Sequence, residues 1–379
     1  MQGEKLRHAV LFMLSIILVI SNLGIITNNQ LRKGSLYVAF VLLILVYFIM
    51  SRYIIEKKFA VLSVVSFVIV AYLLTIKEFS PSADRVIFMI MDLGMIWIGI
   101  GITKFENDDF INRLFCCYVI TCVISGIYYL LKFDTSLIYG YDLKHCLASN
   151  ILMAFIILIM GYAKFPKPIW AVAFIVLLIT IFNLNSRSTI ISLLGTIILM
   201  IIVEWNRIRD FLSRRKYFGI VIVGIPAIII LSGKILNRIK IALRLDALAT
   251  MDISRYSADR IPMIKQGFEY YNGYELFGIA NKNIAPQNFY IECFPLDILV
   301  QIGIVGFILY CVWFVIIWER YFDKGSILGS RRLAKVIIFA LCIIGLFSAN
   351  APMGPGTAYS FGWLIVGMYW MQDNYLKNK

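Results

Sequence analysis

The chain has 379 residues, 61% of them hydrophobic and 15% charged, with a mean hydropathy of +0.84. A soluble domain is about half apolar and a quarter charged, so this composition excludes the ordinary globular class and makes lipid the solvent. The net charge of +14 would suit nucleic acid, but nothing in the chain resembles a nucleic-acid module, and in a membrane protein excess Lys and Arg sets topology.

A helical span needs roughly 20 apolar residues. In chain order the candidates are 8–28, 34–50, 59–76, 84–102, 113–131, 145–163, 168–183, 187–204, 217–233, 295–318, 333–350 and 358–371. The first is a retained span and not a signal peptide, because another apolar run follows with no small-residue cleavage site. Helices satisfy their own backbone in hydrocarbon, and the short alternating strands of a β-barrel are missing from the sequence. The expected fold class is therefore an all-α polytopic membrane protein of about 12 transmembrane helices. It forms one integral membrane domain over 1–379, without internal repeats or low-complexity linkers. The seven Cys show no paired spacing, and those in the apolar runs read as small packing residues.

Alternate loops differ in charge. One side carries 21 Lys and Arg, including Arg320, Arg331, Arg332 and Lys335; the short loops opposite carry seven, among them Arg85 and Arg187. The bias places both termini in the cytoplasm. The one long loop, 234–294 between spans 9 and 10, then lies outside and holds the remaining eight basic residues.

That loop begins with KILNRIKIALRLDALAT, which reads as a basic amphipathic helix on the membrane surface. A second helix should follow Ser257, a plausible N-cap, with Pro262 in its first turn and Tyr270-Tyr271-Asn272-Gly273 at its end. Tyr256, Tyr270, Tyr271, Tyr274 and Tyr290 offer aromatic faces beside polar groups. Such faces suit sugar rings, and they equally suit an interfacial aromatic belt.

Three segments carry a family resemblance. Asn185-Ser186-Arg187-Ser188-Thr189 stands at the external mouth of a span. Arg260 is followed by Glu275-Leu276-Phe277-Gly278-Ile279-Ala280, and Glu292-Cys293-Phe294-Pro295-Leu296-Asp297 leads back into the membrane. Their order and sidedness resemble the O-antigen polymerase and ligase superfamily of bacterial envelope glycosyltransferases, over roughly 140–306. There are two departures. Ala280 stands where a second Gly is common, and Glu292 stands where the ligases have His.

The resemblance implies transfer of sugars carried on polyprenyl diphosphate, outside the bacterial cytoplasmic membrane. Donor and acceptor would both be polyprenyl-diphosphate-linked oligosaccharides, reached through membrane lipid. A flippase and a chain-length regulator would be protein partners, and the product a surface polysaccharide: O-antigen, capsule or exopolysaccharide. Such a site must neutralise the leaving diphosphate, for which Arg187 is the first candidate, then Arg260, Arg255 and Arg244. It must also take a proton from the acceptor hydroxyl, for which the candidates are Glu292, then Asp297, with His145 a third. No metal or cofactor is expected: the acidic cluster Glu106-Asn107-Asp108-Asp109 falls on the cytoplasmic side. Ligation of a finished glycan to another acceptor is the same-class alternative. A lipid-linked oligosaccharide flippase is the alternative from another class; Asp92 is the one clear acidic residue within a span.

Overall fold

A computed structural model describes residues 13, 34–35, 38–45, 57–76, 79–105, 108–131, 141–184, 186–203, 240, 260–280, 289–322, 331–348, 352–353 and 357–370. Among these, the defined elements are helices: α1 Lys57–Thr75, α2 Phe79–Phe105, α3 Asp108–Leu131, α4 Tyr141–Ile159, α5 Lys167–Asn183, α6 Arg187–Val203, α7 Arg260–Tyr271, α8 Phe294–Phe322, α9 Arg332–Gly345 and α10 Thr357–Met368. The expected span at 217–233, the Ser257 cap, and nearly all of the first span and of the amphipathic stretch lie outside the described residues. The helix α1, residues Arg85–Ile102 of α2, Asp109–Leu131 of α3, and α8 are long and apolar enough to cross a membrane. Shorter apolar segments lie in α4, α5, α6 and α10.

Apolar residues face both ways on these helices. In α1, Leu62, Ile69 and Leu73 are buried while Val61, Val64 and Phe67 are exposed, as a lipid-facing helix requires. Hydrophobicity therefore cannot sort the helices, and close approach and polar contacts do so instead. A Cβ at Gly99 of α2 would strike the Leu364 carbonyl of α10, and one at Gly367 would strike Ile96. Trp313 Nε1 of α8 donates to Ser66 Oγ of α1 at 2.9 Å, and Ser192 Oγ of α6 donates to the Ala340 carbonyl of α9 at 3.0 Å.

The contacts define two ends of the bundle. At one, Arg320 donates to the Trp370 carbonyl and Arg331 to the Arg320 carbonyl, joining the end of α8, the start of α9 and the end of α10. Tyr162, in the turn between α4 and α5, packs on Tyr369 there, with ring centroids 6.0 Å apart. From that end α5 rises to Asn183, a short turn follows, and α6 starts at Arg187. Helix α9 rises in the same direction to Phe347, whose carbonyl accepts from Arg260 at 3.2 Å. Arg187 and Arg260 therefore share the opposite end of the molecule.

Helix α8 is not one rod. Gly303 has φ 73 and ψ −177, which breaks it into a short helix and a long one. From Ile304 to Phe322 the long piece runs about 28 Å, close to the thickness of the hydrocarbon core. A break leaves backbone groups without helical partners, which is costly in lipid. Here the segment after α7 meets them. Ile279 N and Ala280 N donate to the Val300 and Gln301 carbonyls, both at 3.0 Å. Ile304 N and Val305 N donate to the Glu275 and Leu276 carbonyls at 2.8 and 3.2 Å. Tyr72 of α1 completes the set, its hydroxyl donating to the Ile302 carbonyl at 2.6 Å.

Gly278, at φ 75, lies directly against Gly303. A Cβ on either would run into the backbone of the other strand, at the Gln301 or the Leu276 carbonyl.

Candidate functional site

Helix α7 starts at Arg260 with Pro262 in its first turn and ends at Tyr271. The end falls where Tyr270-Tyr271-Asn272-Gly273 puts it. Tyr274 N then returns to the Tyr271 carbonyl at 2.8 Å, and the Glu275 carboxylate accepts from Gly273 N at 2.8 Å. That N–H and Glu275's own hold the Glu275 carboxyl below its usual range. A small core of Tyr271, Ile279, Ile291 and Val300 ties α7 to the short first piece of α8. Gly267 of α7 leaves the space that Ile291 occupies.

This core brings Arg260 and Glu292 together across 32 residues of sequence. Arg260 Nε donates to Glu292 Oε2 at 2.6 Å, and NH2 lies at 2.6 Å from the same oxygen. The side chains are 18% and 17% exposed, so the pair is shielded but open on one side. Nε faces the carboxylate, and NH2 is shared between it and the Phe347 carbonyl. The guanidinium is thus aimed by two elements at once. Arg187 is partly exposed at the first position of α6, between buried Ser186 and Ser188.

Asp297, the second candidate base, has different surroundings. It is buried in the first turn of α8. Its Oδ1 accepts from Ile291 N at 2.8 Å, and its Oδ2 pairs with the Arg85 guanidinium at the start of the membrane-crossing part of α2. Arg85 also hydrogen-bonds the Tyr310 hydroxyl, and Gln301 Nε2 donates to the Phe289 carbonyl at 2.7 Å. Arg85 was counted in the sequence only as an external basic residue. The signal that could have found it is the one that singled out Arg187: an Arg outside, against the charge bias.

Between the two carboxylates lies Cys293. Burial pushes its thiol above the ordinary value, and the Asp297 charge adds to the rise. His145 lies on α4, and Arg244, Arg255 and Tyr256 lie outside the described residues.

The tyrosines divide. Tyr271 is buried, donating its hydroxyl to the Glu275 carbonyl at 2.8 Å, so its ring belongs to the loop core. Tyr270 stands edge-on to Phe289, centroids 5.3 Å apart, and its hydroxyl accepts from Gln266 at 2.8 Å. Tyr274 is partly exposed and Tyr290 is exposed.

An arginine fork beside a carboxylate, at the mouth of apolar helices, can hold an anionic group and accept a proton within the reach of one ligand. Residues 172–311 match a family model described as O-antigen ligase. The match runs from within α5 into α8, so it contains Arg187, Arg260, Glu292 and Asp297 and leaves Arg85 outside. It supports the resemblance to the O-antigen polymerase and ligase superfamily. No curated protein matches the chain.

Proposed function

We propose, from the O-antigen ligase match over residues 172–311, that the protein polymerises polyprenyl-diphosphate-linked oligosaccharide repeats on the outer face of the bacterial cytoplasmic membrane. The observation that carries the proposal is the Arg260–Glu292 pair, held at 2.6 Å at the end of the bundle where α6 begins with Arg187.

In the reaction, the acceptor hydroxyl oxygen forms a bond to the donor sugar C1, and the bond from C1 to the diphosphate oxygen breaks. The electron pair leaves with the polyprenyl diphosphate, whose charge Arg187 and the free edge of Arg260 neutralise. The hydroxyl proton passes to Glu292, where the ligases have His. Diphosphate leaves readily, so one base suffices and no metal is required. Tyr270, Tyr274 and Tyr290 serve as sugar contacts. His145, Arg244, Arg255 and Tyr256 remain candidates for the same loop-facing surface, and lipid carriers enter sideways from the bilayer.

The test is to express Arg187→Ala and Glu292→Gln and to size the surface and lipid-linked glycans. Single lipid-linked repeats should accumulate outside while long chains disappear. Long chains that persist unattached would favour ligation, the activity that the matched family model names. Repeats retained on the cytoplasmic face would favour a flippase, and normal glycan in both variants would reject the two assignments.

A further inference from the structure

We infer that Arg85 and Asp297 form a positioning pair that holds the turn bearing Glu292, an inference whose functional part rests on the reading above. The two residues are 212 positions apart and meet as an ion pair with side chains 13% and 1% exposed. Such a pair contributes little stability, since apolar residues of equal volume often do as well or better. Its use here is geometric.

Asp297 has both oxygens engaged. Oδ2 takes the Arg85 guanidinium, and Oδ1 takes the Ile291 N–H at 2.8 Å. Cys293 N closes on the Ile291 carbonyl at 2.6 Å, and Asp297 N on the Cys293 carbonyl at 2.8 Å. Glu292 therefore sits at the apex of a three-residue turn. Its foot at Ile291 is clamped twice: by the Asp297 carboxylate on the backbone, and by burial of the Ile291 side chain under Gly267.

Arg260 orients the carboxylate itself, and the Arg85–Asp297 pair orients the backbone that carries it. The Asp297 side chain is 1% exposed, out of reach of an acceptor hydroxyl, so it acts through Glu292. Arg85 serves a second purpose by cancelling the Asp297 charge, so that the site confronts an incoming diphosphate with one uncompensated carboxylate fewer. The pair also fastens α2, outside the segment that matches the family, to the segment that carries the chemistry.

The test uses the full chain in lipid nanodiscs, with Arg85→Lys, Arg85→Met, Asp297→Asn and the Arg85→Met/Asp297→Asn double variant. Three quantities are measured: kcat and KM with a lipid-linked repeat, the thermal midpoint, and the alkylation rate of Cys293, the residue after Glu292. The expected result for Arg85→Met and Asp297→Asn is a kcat about tenfold lower or more with KM nearly unchanged, the pattern of a lost transition-state arrangement. Cys293 should alkylate several-fold faster as the turn loosens. Arg85→Lys should recover most of the kcat, and the double variant should lose no more than the worse single one.

A lower thermal midpoint with kcat and Cys293 reactivity intact would make the pair merely structural and overturn the inference. A raised KM with kcat intact would make Arg85 a substrate ligand and overturn it too. Should the parent chain transfer no sugar, the proposed function fails, and the Cys293 rate still decides whether Arg85 holds the turn.

Discussion

Glu292 and Arg260 face each other in a shielded site, so removing either deprives the other of its facing charge where solvation is poor. Arg260→Ala should slow chain elongation by roughly 10²–10³-fold, the usual scale for one electrostatic contact to a reacting group. Arg260→Lys should recover little. A lysine carries its donors on one nitrogen, so it cannot reproduce the planar fork that reaches Glu292 through Nε and the Phe347 carbonyl through NH2 while presenting another edge to phosphate. Both are measured as the rate of polymer growth from lipid-linked repeats.

Cys293 gives a further test at this scale. Burial raises its pKa, so at a given alkaline pH less of it is thiolate than of an ordinary cysteine. Maleimide labelling followed by mass spectrometry should find it slower than a free cysteine in the same buffer, with its rate levelling off at a higher pH than that of the free cysteine. Most of the candidate site was legible residue by residue: Glu292, Arg260 and Asp297 all stand where the site forms. Arg85 was not. A charge at a span mouth reads as topology until its partner is seen, and that partner is 212 residues away.

Among the elements, α8 departs most from its sequence. The run from 295 to 318 reads as one continuous span, yet the helix breaks at Gly303 and the 275–280 segment fills the gap with four backbone hydrogen bonds. Hydropathy cannot show this, because a single glycine does not interrupt a long apolar run and the groups that satisfy the break come from Glu275 to Ala280. Gly278→Ala and Gly303→Ala should each destabilise the protein by about 2 kcal/mol or more, through positive φ and direct collision with backbone. Thermal midpoints in detergent would show it. Tyr72→Phe removes the hydroxyl that donates to the Ile302 carbonyl. It should cost roughly 0.5–1.5 kcal/mol, the usual net worth of one hydrogen bond. Helix α7 is the opposite case. Pro262 and the Asn272-Gly273 terminus are local signals, and the helix obeys them.

For the whole molecule, sidedness decides the function. Arg187, Arg260 and Arg85 gather at one end, and Arg320, Arg331, Arg332 and Lys335 at the other. If the second end is cytoplasmic, a cysteine at Glu269, exposed on α7, should label in intact cells with an impermeant maleimide. One at Lys167, exposed at the start of α5, should label only after permeabilisation. Both belong in a cysteine-free background, and the reverse pattern would remove the extracytoplasmic reaction altogether.

What the sequence determined by itself is what local physics decides. Apolar runs become helices because each satisfies its own backbone in lipid, and the alternation of Lys and Arg orders the ends. Tertiary structure alone decided which charges meet. Arg260 finds Glu292, Arg85 finds Asp297, and the 275–280 segment finds the break at Gly303, because helices apolar on every face are sorted by close fit and by the few polar groups that must be satisfied. No periodicity along the chain records those meetings.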